Sequence, residues 1–223
     1  MNIHGKPLSK YIDHTLLKAD AQEPAIEKLC QEAIRYDFAS VCVNSSWVPT
    51  AARILADSDV KVCTVIGFPL GACSTEAKVC EAGQAILAGA SEIDMVLHIG
   101  HLKAGDIDYV QEDIRQVAEV CHQHAGTILK VIIETCLLTD QEKVTACKAA
   151  EAAGADFVKT STGFAAAGAT AADVRLMKEA VGTRLQVKAA GGIRDLETAL
   201  AMIEAGADRI GASAGIQIIE AAK

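Results

Sequence analysis

Short apolar runs alternate along this chain with stretches of about ten or more residues that carry helical spacing. The short runs predict strands at Ile12 to Leu17, Ser40 to Val43, Val62 to Phe68, Glu92 to His98, Ile128 to Glu134, Asp156 to Thr160, Leu185 to Ala189 and Arg209 to Ala212. Helices are predicted between them, among others at Glu23 to Arg35, Ser74 to Ala88, Asp106 to His122, Asp140 to Ala153 and Asp195 to Ala205. Trp47 and Pro49 open a further helix, and Ser213 opens a terminal one. The triplet Ala-Gly-Ala closes a helix and leads into a strand at Ala88-Gly89-Ala90, Ala153-Gly154-Ala155 and Ala205-Gly206-Ala207. Glycine there supplies the left-handed cap, and alanine allows close helix–strand approach.

This alternation predicts an α/β protein, a (β/α)8 TIM barrel with a short N-terminal helical extension, forming one domain over residues 1–223. An open doubly wound sheet is the competing architecture. Within the strands, the period of two sorts the side chains. Ile93, Met95 and Leu97 face the helices, and Asp94, Val96 and His98 face inward. Leu129, Val131 and Ile133 face outward, with Lys130, Ile132 and Glu134 inward. Val158, Leu185 and Val187 face outward, opposite Lys159, Gln186 and Lys188. The barrel interior therefore collects Asp94, Lys130, Lys159 and Lys188.

Composition narrows the setting. Half of the 223 residues are hydrophobic (51%) but only 4% are aromatic, so Ala, Val, Ile and Leu must build the core. The net charge of −8 has no basic cluster, which argues against nucleic acid as a partner. An anion must then be held locally, by backbone amides or a few cations. The eight cysteines, Cys30, Cys42, Cys63, Cys73, Cys80, Cys121, Cys136 and Cys147, show no C-x-x-C or zinc-type spacing. Buried free thiols in a reduced cytoplasmic enzyme are expected. Met1 to Lys10 lacks a signal-peptide core, and apolar runs such as Ile86 to Ala90 are too short to cross a membrane. Monomer and homodimer both stay open.

The lone lysines carry the chemistry. Lys159 and Lys188 sit in apolar or small-residue strands, where an unpaired ammonium is expensive to desolvate. Neighbouring strands about 4.8 Å apart bring the two nitrogens within roughly 4 to 6 Å. At an effective dielectric near 20, their repulsion is on the order of 3 to 4 kcal/mol. That favours a neutral amine by about 2 to 3 pKa units, before any carboxylate opposes it. A neutral lysine attacks carbonyl carbons, so Schiff-base chemistry is expected. The plain alternative is a structural ion pair, with Lys130 bonded to Glu134 or Asp94. Spacing alone does not say which lysine attacks.

The strand Phe157-Val158-Lys159-Thr160-Ser161-Thr162-Gly163-Phe164 resembles the Schiff-base strand of deoxyribose-phosphate aldolases. Lys188-Ala189-Ala190-Gly191-Gly192-Ile193-Arg194 is similar to that family's second-lysine motif, and Glu92-Ile93-Asp94-Met95-Val96 to its aspartate strand. Leu129 to Thr135, Tyr11 to Leu17 and Ser40 to Asn44 extend the resemblance over nearly the whole chain. The resemblance implies that Lys159 forms the imine, Lys188 lowers its pKa and Asp94 takes part in a proton relay. It implies reversible cleavage of 2-deoxy-D-ribose 5-phosphate to D-glyceraldehyde 3-phosphate and acetaldehyde, a step of deoxyribonucleotide catabolism. No metal and no organic cofactor are expected beyond the covalent lysine imine. Asp13, Cys42, Lys130, Gly163, Gly191, Gly192, Gly211 and Ser213 are the expected substrate contacts, the glycines and Ser213 for phosphate.

Two departures accompany the resemblance. Some family members carry lysine where this chain has Phe164, and some carry a longer tail with a terminal tyrosine, whereas this chain ends at Lys223. Lower activity or weaker phosphate preference is the expectation. Three other readings remain: a barrel isomerase or lyase with Asp94 as base, a non-catalytic sugar-phosphate sensor, and a metal-dependent aldolase using His98 and His101. The last lacks an organised third ligand.

Overall fold

His4 and Gly5, both at positive φ, make the structure's first turn. In the computed structural model, which describes residues 1–223, Gly5 at φ 81° joins β1 (Asn2–Ile3) to β2 (Lys6–Pro7) in an antiparallel hairpin. A single 3-10 turn, Leu8–Tyr11, follows. The N-terminal extension is thus mostly hairpin, and its helical content is that one turn.

Each predicted barrel strand forms. β3 (Ile12–Leu16), β4 (Ser40–Asn44), β5 (Lys61–Ile66), β6 (Glu92–Val96), β7 (Ile128–Ile132), β8 (Phe157–Lys159), β9 (Gln186–Ala190) and β10 (Arg209–Ala212) pair in parallel in chain order. β10 then closes on β3 with Gly211 opposite Asp13. Closure leaves no strand edge unpaired and rules out the open sheet. The register sets Asp94 opposite Lys130, Ile132 opposite Lys159, and Lys159 opposite Lys188.

Helices α1 (Glu23–Tyr36), α2 (Val48–Leu55), α3 (Thr75–Leu87), α4 (Ile99–Lys103), α5 (Ile107–His122), α6 (Asp140–Ala152), α7 (Ala171–Val181), α8 (Leu196–Glu204) and α9 (Gly215–Glu220) occupy the connections. Their starts follow from capping side chains. Ser74, Asp106, Thr170 and Asp195 each accept an N–H from the first turn, and Thr139 with Glu142 forms a reciprocal capping box. The terminal helix begins at Gly215, so Ser213 stays in the preceding turn. Gly206 shows why the repeated triplet needs glycine: its φ is 110°, and a Cβ there would stand 2.8 Å from Lys178 Cγ.

The main apolar core lies between strands and helices. Ile93, Met95, Leu129, Val131, Val158 and Val187 all belong to it, as the alternation requires. A smaller cluster of Leu17, Cys42, Cys63 and Val65 is separate from it. The alternation fails where the strands stop. β6 ends at Val96, and His98 turns away to cap α4, its Nδ1 accepting from His101 N at 3.3 Å. β7 ends at Ile132, and Glu134 adopts left-handed backbone angles, φ 54° and ψ 66°.

Candidate active site

The inward side chains of six barrel strands form one buried ionic network. Asp94 is its centre. Its Oδ2 accepts from Lys159 at 2.8 Å and from Lys188 at 2.7 Å, and its Oδ1 accepts from Lys130 at 2.9 Å and from the Cys63 thiol at 3.1 Å. Lys130 also pairs with Glu92 at 2.7 Å, and Lys188 with Asp13 at 2.6 Å. Arg209 joins the lower end, donating from Nε to Asp13 at 2.7 Å and from Nη2 to Glu92 at 2.8 Å. Lys130 therefore pairs with Glu92 and Asp94, not with Glu134.

Four cations face three carboxylates in this network. Lys130, Lys188 and Arg209 each touch two carboxylates, but Lys159 touches only Asp94. Burial penalises ionisation of Asp94, and Lys130, Lys159 and Lys188 overcome that penalty, holding its carboxyl well below the usual range. For Asp13, burial is likewise outweighed by Arg209 and Lys188, and the pKa is lowered. Burial pushes Lys188 toward neutrality, but Asp13 and Asp94 raise its pKa well above the ordinary lysine value. Lys130 is raised in the same way, chiefly by Asp94 against its burial. The two carboxylate partners of Lys188 thus favour its charged form. Its repulsion of Lys159 is moderated by the Asp94 oxygen that both nitrogens share.

Above the network opens a cavity of about 410 Å³. Lys159 is the one network member on its wall, at the C-terminal end of β8. Gly163, Gly191, Gly192, Gly211 and Ser213 also line it. Gly191, at φ 88°, is required by crowding as well as conformation, since a Cβ would lie 3.0 Å from Gly168 Cα. Asp13, Cys42, Lys130, Asp94 and Lys188 are fully buried and do not line the cavity. Asp13 and Lys130 are engaged in the ion pairs beneath it. Cys42 lies beside the Cys63 thiol, whose influence outweighs burial and lowers the Cys42 pKa.

Several contributors were not singled out from sequence. Arg209 and Glu92 complete the network, and their signal was a charged residue opening an otherwise apolar strand. Lys18 and Arg194 supply the cavity's other cations, and no carboxylate lines it. Phe164 lies on the rim, edge-to-face against Phe68 with centroids 5.1 Å apart. His98 and His101 are engaged in local contacts, His101 with Asp106 at 2.9 Å. The closest grouping of possible metal ligands is Cys42, Cys63 and Asp94, within 4.8 Å of one another. Both Asp94 oxygens there are already taken by ammonium groups, a donor set that repels a cation. All eight cysteines are free.

Comparison with known proteins adds four matches. The model of the DeoC/LacD family aldolases matches residues 8–221. A deoxyribose-phosphate aldolase of Brevibacillus brevis is 60% identical over 97% of this chain and 96% of its own length. One from Finegoldia magna is 59% identical, covering 96% of this chain and 99% of that protein. The tetrameric deoxyribose phosphate aldolase structure from Aeropyrum pernix superposes with a TM-score of 0.90 at 32% identity, covering 96% of this chain and 90% of that one.

Proposed function

This chain belongs to the DeoC/LacD family of aldolases, and we propose that it cleaves 2-deoxy-D-ribose 5-phosphate reversibly to D-glyceraldehyde 3-phosphate and acetaldehyde through an imine on Lys159. The observation that carries this reading is the position of Lys159: it alone among the network's four cations has a single carboxylate partner and reaches the cavity. Its nitrogen is therefore the least encumbered of the four and the one placed to meet a carbonyl carbon in the cavity.

The neutral amine attacks the C1 aldehyde, and loss of water forms the protonated imine. The C2–C3 bond then breaks. Its electron pair moves into an enamine on Lys159 while the C3 hydroxyl gives its proton to water, leaving C3 as the aldehyde of glyceraldehyde 3-phosphate. Protonation of the enamine at C2 and addition of water release acetaldehyde and restore the lysine. The reaction needs no metal or organic cofactor. Lys188 supplies the fixed positive charge. Asp94, kept ionised by its lysines, orients the Lys159 nitrogen and its proton instead of carrying a proton itself.

The phosphate end falls to the wall of Gly163, Gly191, Gly192, Gly211 and Ser213, with Lys18 and Arg194 as cations. Those two supply the charge that Phe164 does not. Residues 1–223 act as one barrel domain, on a small phosphorylated sugar and not on nucleic acid. No helix is long and apolar enough to cross a membrane. The cytoplasm, where free thiols stay reduced, is the proposed setting.

A coupled assay for glyceraldehyde 3-phosphate, run on wild type and Lys159→Ala, tests the reading. Turnover by the wild type and none by the variant is expected. A variant that still cleaves the sugar phosphate would overturn it.

A further inference from the structure

Glu134 is a buried carboxylate that the imine chemistry leaves unused. It follows β7, yet the backbone bonds to β8 continue on either side of it. Ile133 N donates to Lys159 O at 3.0 Å, and Thr135 N donates to Thr160 O at 2.9 Å. Between these bonds Glu134 takes its left-handed conformation, which is costly for a residue other than glycine and is kept where surroundings enforce it.

That twist aims the carboxylate at one residue. Glu134 is 2% exposed, and both its oxygens accept from Thr162 N at 3.3 Å, with the Thr162 hydroxyl donating to Oε2 in a shorter contact. It has no ion-pair partner, so Thr162 alone compensates its burial. The same hydroxyl oxygen accepts from Phe164 N at 3.1 Å. Thr162, Gly163 and Phe164 line the cavity just beyond Lys159. Gly163, at φ 83°, packs against Gly191 on the same wall. One carboxylate thus shapes the turn that joins the nucleophile's strand to the glycine wall.

We propose that Glu134 is a positioning residue that fixes the Thr162–Gly163–Phe164 turn for the phosphate end of the substrate, an inference that rests on the aldolase reading above. It predicts an effect on one end of the substrate only. The lysine network stays complete without Glu134, because none of its contacts involves that residue.

The test compares cleavage of 2-deoxy-D-ribose 5-phosphate with that of unphosphorylated 2-deoxy-D-ribose in Glu134→Ala, Glu134→Gln and Thr162→Val. Glu134→Ala and Thr162→Val are expected to raise KM for the phosphorylated sugar about tenfold, with kcat within about threefold. For the unphosphorylated sugar, kcat/KM stays within about twofold. Glu134→Gln keeps an acceptor for Thr162 N–H and restores most of the loss. An unchanged KM, or equal losses on both sugars, would overturn the proposal. Should Glu134→Ala not fold, Thr162→Val decides alone, since it removes one hydroxyl at constant shape. Borohydride trapping on wild-type Lys159 separates the two readings. Without an adduct the aldolase reading fails, whereas an adduct with no sugar-selective KM change refutes the role of Glu134 alone.

Discussion

Replacing Lys188 with methionine removes the fixed positive charge beside Lys159 and retains a long side chain. The contacts of 2.8 and 2.7 Å to the same Asp94 oxygen bound the separation of the two nitrogens at about 5.5 Å. At an effective dielectric near 20, their repulsion is then about 3 kcal/mol. Asp13, 2.6 Å from Lys188, offsets part of it. Losing that repulsion favours the protonated amine. The acid limb of the pH–rate profile therefore moves to higher pH, by up to about 2 units. At pH near 7 cleavage falls by as much as about a hundredfold, and raising the pH recovers it. Neither carboxylate is orphaned by the change, because Asp13 keeps Arg209 and Asp94 keeps Lys130 and Lys159. The assay is the initial rate of sugar phosphate cleavage from about pH 6 to 10, a window chosen around the lysine range. A profile of unchanged shape, merely scaled down, would refute the electrostatic argument and leave Lys188 a packing role.

Asp94→Asn sets four cations against two carboxylates, and breaking a buried network of this kind costs about 3 to 5 kcal/mol. A fall of roughly 10 °C in Tm is expected by calorimetry for a chain of this length, together with loss of turnover. In the wild type, Asp94 and Asp13 have pKa values depressed by their cations, so their stabilisation is complete above the ordinary carboxylate value. It is lost only as pH falls through the lower folded values, and Tm measured down to about pH 4 should show little loss from these two groups. Burial pushes the thiols of Cys30 up to about 11 and of Cys121 and Cys147 up to about 12, whereas Cys80 and Cys136 are exposed. A thiol-specific chromophoric disulfide at neutral pH should modify Cys80 and Cys136 in the native protein and reach the other three only on unfolding.

The barrel was legible because its strands are apolar on one face and charged on the other. Period-two alternation placed Asp94, Lys130, Lys159 and Lys188 inward, and they meet as one network. The same rule misplaced His98 and Glu134, because it holds only while the ladder continues, and the chain leaves it after Val96 and Ile132. Which lysine to propose as the nucleophile was not legible. That depends on how many carboxylates each ammonium meets once the barrel closes, and Arg209 and Asp13 enter the count only through pairing of the last strand with the first. Asp13, Cys42 and Lys130 read as substrate contacts from their motifs, yet depth in the barrel puts them beneath the cavity. Lys18 shows the reverse case: nothing in its immediate neighbours marks it, and the folded loops bring it to one wall with Arg194, which closes the second-lysine motif without a role assigned there.

The central claim is that Lys159 bonds covalently to the substrate. Incubation with 2-deoxy-D-ribose 5-phosphate and sodium borohydride, followed by peptide mapping by mass spectrometry, tests it most directly. The account predicts a reduced adduct on the peptide carrying Lys159 and none in Lys159→Ala. An adduct on Lys188 instead, or no adduct in folded protein that binds the sugar phosphate, would contradict it.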